Sequence, residues 1–394
     1  MAHDSAVSQP VRVLCLGSLN IDDVYQVNDI VRPGQTITTL RHTVSAGGKG
    51  ANQAVALARS GALVSLAGKV GADGRWLIEK LQGLGVGIDL VEVLDEGQES
   101  TGRAIIQVAR TSGQNCILLH PGANHAISAA NLEHIMNTFQ PRPGDLLLLQ
   151  NEISMMPEAL TLGRSHDLTV VWNPAPALTI ADDHAQAFDL DAVDLIVVNE
   201  DEATVLYEQL RQREPNQQAA AGTTQGSKKD RELARDQLTP CPPLDPKTPD
   251  DFLAVAEKLH QALPDLSGVV ITMGANGVVY HFKSGRKYGT RLEGHYQAPS
   301  PASLLGHHCH TRLNNEGNGS AVIDTTGAGD TWVGFFVGYL SQHTPATERA
   351  QPIELPSRTL ATAIRVASIA AGLSVTKPGA MDSMPNWEEV ERLL

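Results

Sequence analysis

An aspartate placed at the mouth of a glycine turn can do chemistry on a phosphate. Near the C-terminal end, Asp324-Thr325-Thr326-Gly327-Ala328-Gly329-Asp330-Thr331 runs directly into an apolar stretch from Trp332 to Leu340. The spacing predicts a turn feeding a buried helix. Two glycines around one alanine leave the backbone uncovered, so a bulky anion can come close. The first amides of a helix lack intrahelical partners and, together with the dipole, make an anion site of roughly half a positive charge. Asp330 would repel a resident anion there, but it suits a general base that takes a proton from a hydroxyl attacking a phosphate. The same residues also fit a plain cap, since Asp caps helices well and Thr-Gly-Ala-Gly is a plausible turn.

Other polar clusters stand where ligands gather in open α/β sheets, beyond the C-terminal ends of strands. Asn20-Ile21-Asp22-Asp23 follows the apolar run Val11 to Gly17. Asp22 there is either a bidentate acceptor for vicinal hydroxyls or a solvated turn acid. Ala46-Gly47-Gly48-Lys49-Gly50-Ala51-Asn52-Gln53 opens an alanine-rich helix. It lacks the Ser or Thr that a Walker A loop needs after its lysine, and it is not a Rossmann fingerprint. Its double glycine permits close approach of a ligand, and Lys49 and Asn52 can bond hydroxyls; a flexible turn is the plainer reading. Asn199-Glu200-Asp201-Glu202 reads as a capped helix start or a sparse site for a hard cation. His307-His308-Cys309-His310 has adjacent rather than spaced ligands and no completing cluster, which argues against a metal.

Taken in order, these stretches resemble the signatures of the ribokinase-like, pfkB-type carbohydrate kinases. The resemblance runs from Val11 to about Trp387, apart from two insertions. It implies ATP-dependent phosphorylation of D-ribose at its 5-hydroxyl, with Asp330 as base and Gly327, Ala328 and Gly329 as the anion hole. It places Asn20, Asp22, Gly48, Lys49, Gly50, Ala51, Asn52 and Glu152 around the sugar together with Asp330. It gives the nucleotide to Asn199, Thr272, Met273, Gly274, Ala275, Asn276, Gly277, Gly329, Asp330 and Ser368, where relatives often carry Asn at the last position. It implies a potassium ion held largely through carbonyls at Asp324, Thr326, Ser374, Lys377, Gly379 and Ser383. Magnesium would be ordered, mostly through water, by Asn199 and Glu202. Relatives with this lid often pair lids into a homodimer. A kinase for another sugar or a nucleoside, or a sugar sensor without catalysis, are the alternatives.

The elements that must position these residues alternate strand and helix, which argues for a three-layer α/β/α sandwich around a mostly parallel sheet. The kinase body is expected at 11–21, 46–90 and 121–394. A small β lid is expected at 22–45 and 91–120, with Val91 to Leu94, Thr101 to Val108 and Asn115 to Leu119 among its strands. Residues 209–250 and 299–320 read as flexible, disordered or loosely helical insertions, because they lack an apolar period. The chain has 394 residues, 42% of them hydrophobic, so a sizeable core can be buried. A net charge of -14 with only 4% aromatics argues against nucleic acid and anionic membranes. Four scattered cysteines, a polar N-terminus and the lack of any apolar run of spanning length point to a reduced cytosolic protein, with nothing excluding the nucleus.

Overall fold

The computed structural model describes residues 10–177, 188–221, 246–283, 292–305, 321–344 and 355–394, and side chains of the helix at 200–221 only as far as Arg211. The chain enters through β1 (Arg12–Leu16), passes through β2 (Asn20–Val27) and β3 (Arg41–Gly47), and continues into α1 (Lys49–Arg59), β4 (Leu63–Val70), α2 (Arg75–Gly83) and β5 (Gly87–Val93). β6 (Gly102–Ala109) and β7 (Asn115–His120) precede α3 (Ala129–Phe139), β8 (Leu146–Gln150), α4 (Met156–Ser165), β9 (Thr169–Asn173), β10 (Leu195–Asn199) and α5 (Glu200–Ala221). The remainder holds α6 (Pro249–Ala262), β11 (Gly268–Thr272), β12 (Val278–Phe282), β13 (Leu292–Tyr296), α7 (Pro301–Leu305), α8 (Ala328–His343), α9 (Ser357–Ser374) and α10 (Trp387–Glu391).

Nine strands form one sheet in the order β13-β12-β11-β10-β9-β8-β1-β4-β5. Every pair from β11 to β5 is parallel; β12 alone runs against the rest, antiparallel to both of its neighbours, β11 and β13. Such strands are covered on both faces, which is why Leu146-Leu147-Leu148-Leu149 reads as an unbroken apolar run and is fully buried. Alternate residues serve opposite faces. Val13 and Cys15 join a core with α1, α2, α8 and α9, whereas Leu14 and Leu16 join one with α3, α4, α5 and α6.

The position of α8 is dictated by its composition. Trp332, Val333, Phe335, Phe336 and Val337 leave no polar face, so the helix must be buried. Its glycines set how near α1 can come. A Cβ on Gly334 would lie 2.3 Å from the Ala56 side chain, and one on Gly338 would lie 2.0 Å from Ser60 Oγ. That close crossing carries the first turn of α1, with Asn52 and Gln53, up to Asp330 at the start of α8. Replacing Gly334 by Val would force the two helices apart.

The second sheet, in the order β3-β2-β6-β7, is the lid. All six residues of β7 are exposed. One guanidinium joins lid to body: Arg103 of β6 donates to Asp23 of β2 at 2.8 Å and to Asp73, just before α2, at 2.9 Å. Asp73 is itself held by the Thr101 amide at 2.9 Å and hydroxyl at 2.7 Å.

Two expectations change. Val91 to Leu94 does not belong to the lid: β5 pairs in parallel with β4, Val91 opposite Gly68 and Val93 opposite Val70, at the edge of the large sheet. Its apolar side chains pack on the core beside α2, as the crossover from β4 through that helix requires. The stretch expected to begin an insertion at 209 instead continues α5 to Ala221, since Gln, Arg, Glu and Ala are good helix formers. α6 starts earlier than expected, capped reciprocally by Thr248 and Asp251. In the second insertion, Pro301–Leu305 forms a short helix whose Leu304 packs on the core. Residues 222–245 and 306–320, with the His307-His308-Cys309-His310 cluster, lie outside the described residues.

Candidate active site

The polar residues meet where the C-terminal ends of β1, β8, β9 and β10 face the first turns of α1 and α8. Asp330 is buried, and both its oxygens accept from α1. Asn52 Nδ2 donates to Oδ2 and Gln53 Nε2 to Oδ1, each at 2.9 Å. Asn52 Oδ1 is buried without a hydrogen-bond partner. A buried acceptor in that state costs stability, so it is suited to a ligand hydroxyl. Glu152, just beyond β8, accepts from the Ser18 hydroxyl and from the Lys49 amide at 3.0 Å. Asn20 Oδ1 accepts from Asn124 Nδ2 at 2.7 Å, and Asn124 Oδ1 takes the Leu19 amide at 2.9 Å.

These groups crowd negative charge. Burial, then the carboxylates of Glu152, Asp330 and Asp23, push Asp22 up to about 7. Burial likewise raises Glu152, against the opposing pull of Lys49 and Ser18. For the Lys49 ammonium burial works downward, but Asp330, Glu152 and Glu202 outweigh it and hold the group above its ordinary value. Lys49 is thus a firmly charged cation among carboxylates. The Cys15 thiol, buried beneath, is pushed up to about 12 and donates to the Gly50 carbonyl at 3.4 Å.

The glycine turn feeds a buried helix, as the spacing predicts. Gly327 sits at φ 75°, a left-handed conformation, and a Cβ there would lie 3.0 Å from that of Ala380. The Ala328 amide, expected in the anion hole, is already engaged by Thr325 O at 3.2 Å, and the Thr331 amide bonds Gly327 O at 2.8 Å. The free ends are therefore the Gly329 and Asp330 amides, and the space above Gly329 is open within 4 Å.

Beside this turn lies an apolar cavity of about 290 Å³, lined in part by Thr272, Gly274, Ala275, Gly277, Gly329 and Ser368. The Trp332 indole donates to Ser368 Oγ at 3.2 Å. Asn276 is exposed, while Met273 turns into the core. Asn199 and Glu202 cap α5 reciprocally, Asn199 N to Glu202 Oε2 at 2.9 Å and Glu202 N to Asn199 Oδ1 at 2.8 Å. The cap reading of this motif therefore holds, and burial still raises the Glu202 carboxyl. Asp324 accepts from Thr326 N at 2.9 Å, Thr326 Oγ1 at 2.6 Å and Gly379 N at 2.8 Å, tying the turn to the loop after α9. Those bonds outweigh burial and hold its carboxyl below the usual range. Ser374 and Ser383 are buried in that loop, but Lys377 reaches away to Glu389 at 2.9 Å and can offer only its carbonyl.

Ser18, Gln53, Asn124, Gln150 and Asn173 carry much of this geometry and were not assigned roles from sequence. The available signal was their place: each stands at or just beyond a strand end or in a glycine-containing stretch. Among the described residues no cluster of three or more His, Cys, Asp or Glu could hold a metal, and no helix is long and apolar enough to cross a membrane.

A family model for pfkB family carbohydrate kinases matches residues 11–291 and 311–387. The ribokinase of Haemophilus influenzae is 31% identical over 381 residues, covering 96% of this chain and 97% of that protein. The ribokinase of Schizosaccharomyces pombe is 28% identical, with 97% of each covered. Among solved structures, ribokinase from Cryptococcus neoformans var. grubii in complex with ADP superposes with a TM-score of 0.70 at 30% identity, covering 98% of this chain and 100% of that one.

Proposed function

The chain belongs to the pfkB family of carbohydrate kinases, and from that premise we propose that it transfers the terminal phosphoryl group of ATP to O5 of D-ribose. The observation that carries this reading is the Asp330 carboxylate, held through both oxygens by the Gly-Gly-Lys-Gly-Ala-Asn-Gln segment at the open start of α8. Asn20, Asp22, Lys49, Asn52 and Glu152 orient the sugar, with Gly48, Gly50 and Ala51 giving it close approach. Asp330 takes the proton of the 5-hydroxyl as that oxygen bonds to the γ-phosphorus and ADP leaves. The Gly329 and Asp330 amides meet the charge on the transferred group. A positioned base contributes about 10² to 10⁴ in rate, and one anion-hole donor about 3–4 kcal/mol.

The donor sets fit hard cations. Asp324, Thr326, Ser374, Gly379, Ser383 and the Lys377 carbonyl offer only oxygens, which suits potassium. Asn199 and Glu202 form too sparse a set to strip magnesium of its waters, which suits outer-shell binding. When bound, the metals neutralise phosphate charge. Ile117, Leu118 and Leu119 of β7 are half or more exposed. We assign this exposed edge strand to contact with a second copy of the lid, and sedimentation of a Leu118→Lys variant as a monomer checks it.

The deciding experiment measures ATP consumption with ribose, deoxyribose, fructose and adenosine, with and without K⁺, beside Asp330→Asn. Ribose-dependent turnover lost in the variant supports the reading. Near-normal turnover in Asp330→Asn sinks the base assignment. Activity on another acceptor alone moves the substrate, and ribose binding without ATP consumption points to a sensor.

A further inference from the structure

A chain of buried carboxamides runs behind Asp330 and ends on the backbone. Asn173, at the end of β9, donates from Nδ2 to the Val197 carbonyl at 2.8 Å. A carbonyl can only accept, so this bond fixes which way the Asn173 amide faces. Its Oδ1 then meets Gln53, which must present Nε2; that bond is 2.8 Å. The other end of Gln53, Oε1, accepts from Gln150 Nε2 at 2.7 Å. The second hydrogen of the Gln53 amide reaches Asp330 Oδ1 at 2.9 Å. Gln53 and Gln150 are fully buried and Asn173 nearly so. Turning any one amide over would set acceptor against acceptor where no water replaces the lost bond.

The polarity of this relay therefore propagates from a backbone carbonyl of β10 to the carboxylate of α8. Gln53 is fully buried and has no donor left for a substrate, since both hydrogens of Nε2 serve Asn173 and Asp330 while Oε1 faces Gln150. Its influence on the reaction must pass through Asp330. We propose that Gln53 is a positioning residue for the base: clamped by Asn173 and Gln150, it holds Asp330 Oδ1 as a hydrogen-bond acceptor, so that the carboxylate is aimed before the acceptor sugar arrives. The inference rests on the reading of Asp330 as the base. It separates two neighbours in the sequence: Asn52 faces the substrate with a spare acceptor, and Gln53 faces the scaffold.

The test is kcat and KM for ribose from about pH 5 to 9 in Gln53→Leu and wild type, with ribose affinity by calorimetry. Loss of the donor should lower kcat about 10- to 100-fold, the scale of a misaimed catalytic group. It should move the acidic limb of the kcat profile up by about one pH unit, because hydrogen bonds to an ionised carboxylate favour that form. Ribose KM should change by less than about threefold, since no ground-state contact is removed. Gln150→Met, which removes the donor to Gln53 Oε1 together with a long bond to Cys15 Sγ at 3.8 Å, should show the same two changes at smaller size and covers the case that Gln53→Leu does not fold. An acidic limb that stays at its wild-type position in either folded variant, or a loss carried by KM alone, overturns the proposal. Asp330→Asn run alongside separates the failures. If it is inactive while Gln53→Leu keeps the wild-type profile, only the positioning role is lost; if it stays active, the base reading falls and takes this inference with it.

Discussion

The two halves of the cleft are built by different means. Toward the lid, the half where we place the acceptor is dense with side chains: Asn20, Asn52 and Glu152 are braced by hydrogen bonds, Lys49 is held among carboxylates, and Asp22 is crowded by like charge. Toward β11 and α9, the half where we place the nucleotide is an apolar cavity lined in part with glycine, alanine and proline, and Ser368 offers a hydroxyl already bonded to Trp332. Side-chain hydrogen bonds discriminate strongly, because a wrong ligand leaves buried groups unpaired. Backbone amides and small apolar surfaces discriminate weakly. The difference teaches that selectivity for the acceptor is written in residue types, and accommodation of the donor in backbone shape.

The sharpest way to break this contrast is at the hinge between the halves. Gly327→Val strains a left-handed turn and collides with Ala380, so kcat should fall by more than about 100-fold, as expected when anion-hole amides move. Steady-state turnover checks it, with ribose affinity kept. Next, Glu152→Gln weakens charge-assisted bonds to Ser18 and Lys49, each worth about 1.5–3 kcal/mol. Ribose KM should rise about tenfold or more while ATP KM stays put, and comparable rises in both would erase the distinction. Asp22→Asn should also weaken ribose binding while stabilising the empty protein. The Asp22 carboxyl lies above its unfolded value of 3.8, at about 7, so its ionisation costs the fold increasing stability as pH climbs through that window. Melting of the variant should exceed wild type by a few degrees at pH 8 and match it near pH 4. The smallest effect is expected on the donor side: Ser368→Asn should change ATP KM by less than about threefold and ribose KM not at all.

The same contrast governs what was legible in the sequence. Asn20, Asp22, Lys49, Asn52 and Asp330 could be proposed because chemistry needs those types and their spacing resembles a known pattern, and the structure brings them together. The parallel sheet was legible from unbroken apolar runs such as Leu146 to Leu149. Gln53, Gln150 and Asn173 escaped because an amide has no role until its partners are known, and those lie about a hundred or more positions away. Val91 was misplaced because a β-branched run looks alike in an edge strand of either sheet, and only its pairing with Gly68 decides. Beyond 209 the sequence left disorder and loose helix both open, because a helix without an apolar face resembles a linker, and α5 takes the helical course to Ala221.

Arg103 has a kinetic consequence. It forks from the lid to Asp23 on one side and to Asp73 of the body on the other, on a partly exposed surface. Any swing of β6 away from the body stretches an ion pair, so opening carries an electrostatic barrier that dissolved salt lowers. Residence time of whatever lies beneath the lid then becomes a function of ionic strength, even where equilibrium contacts inside the cleft are left untouched.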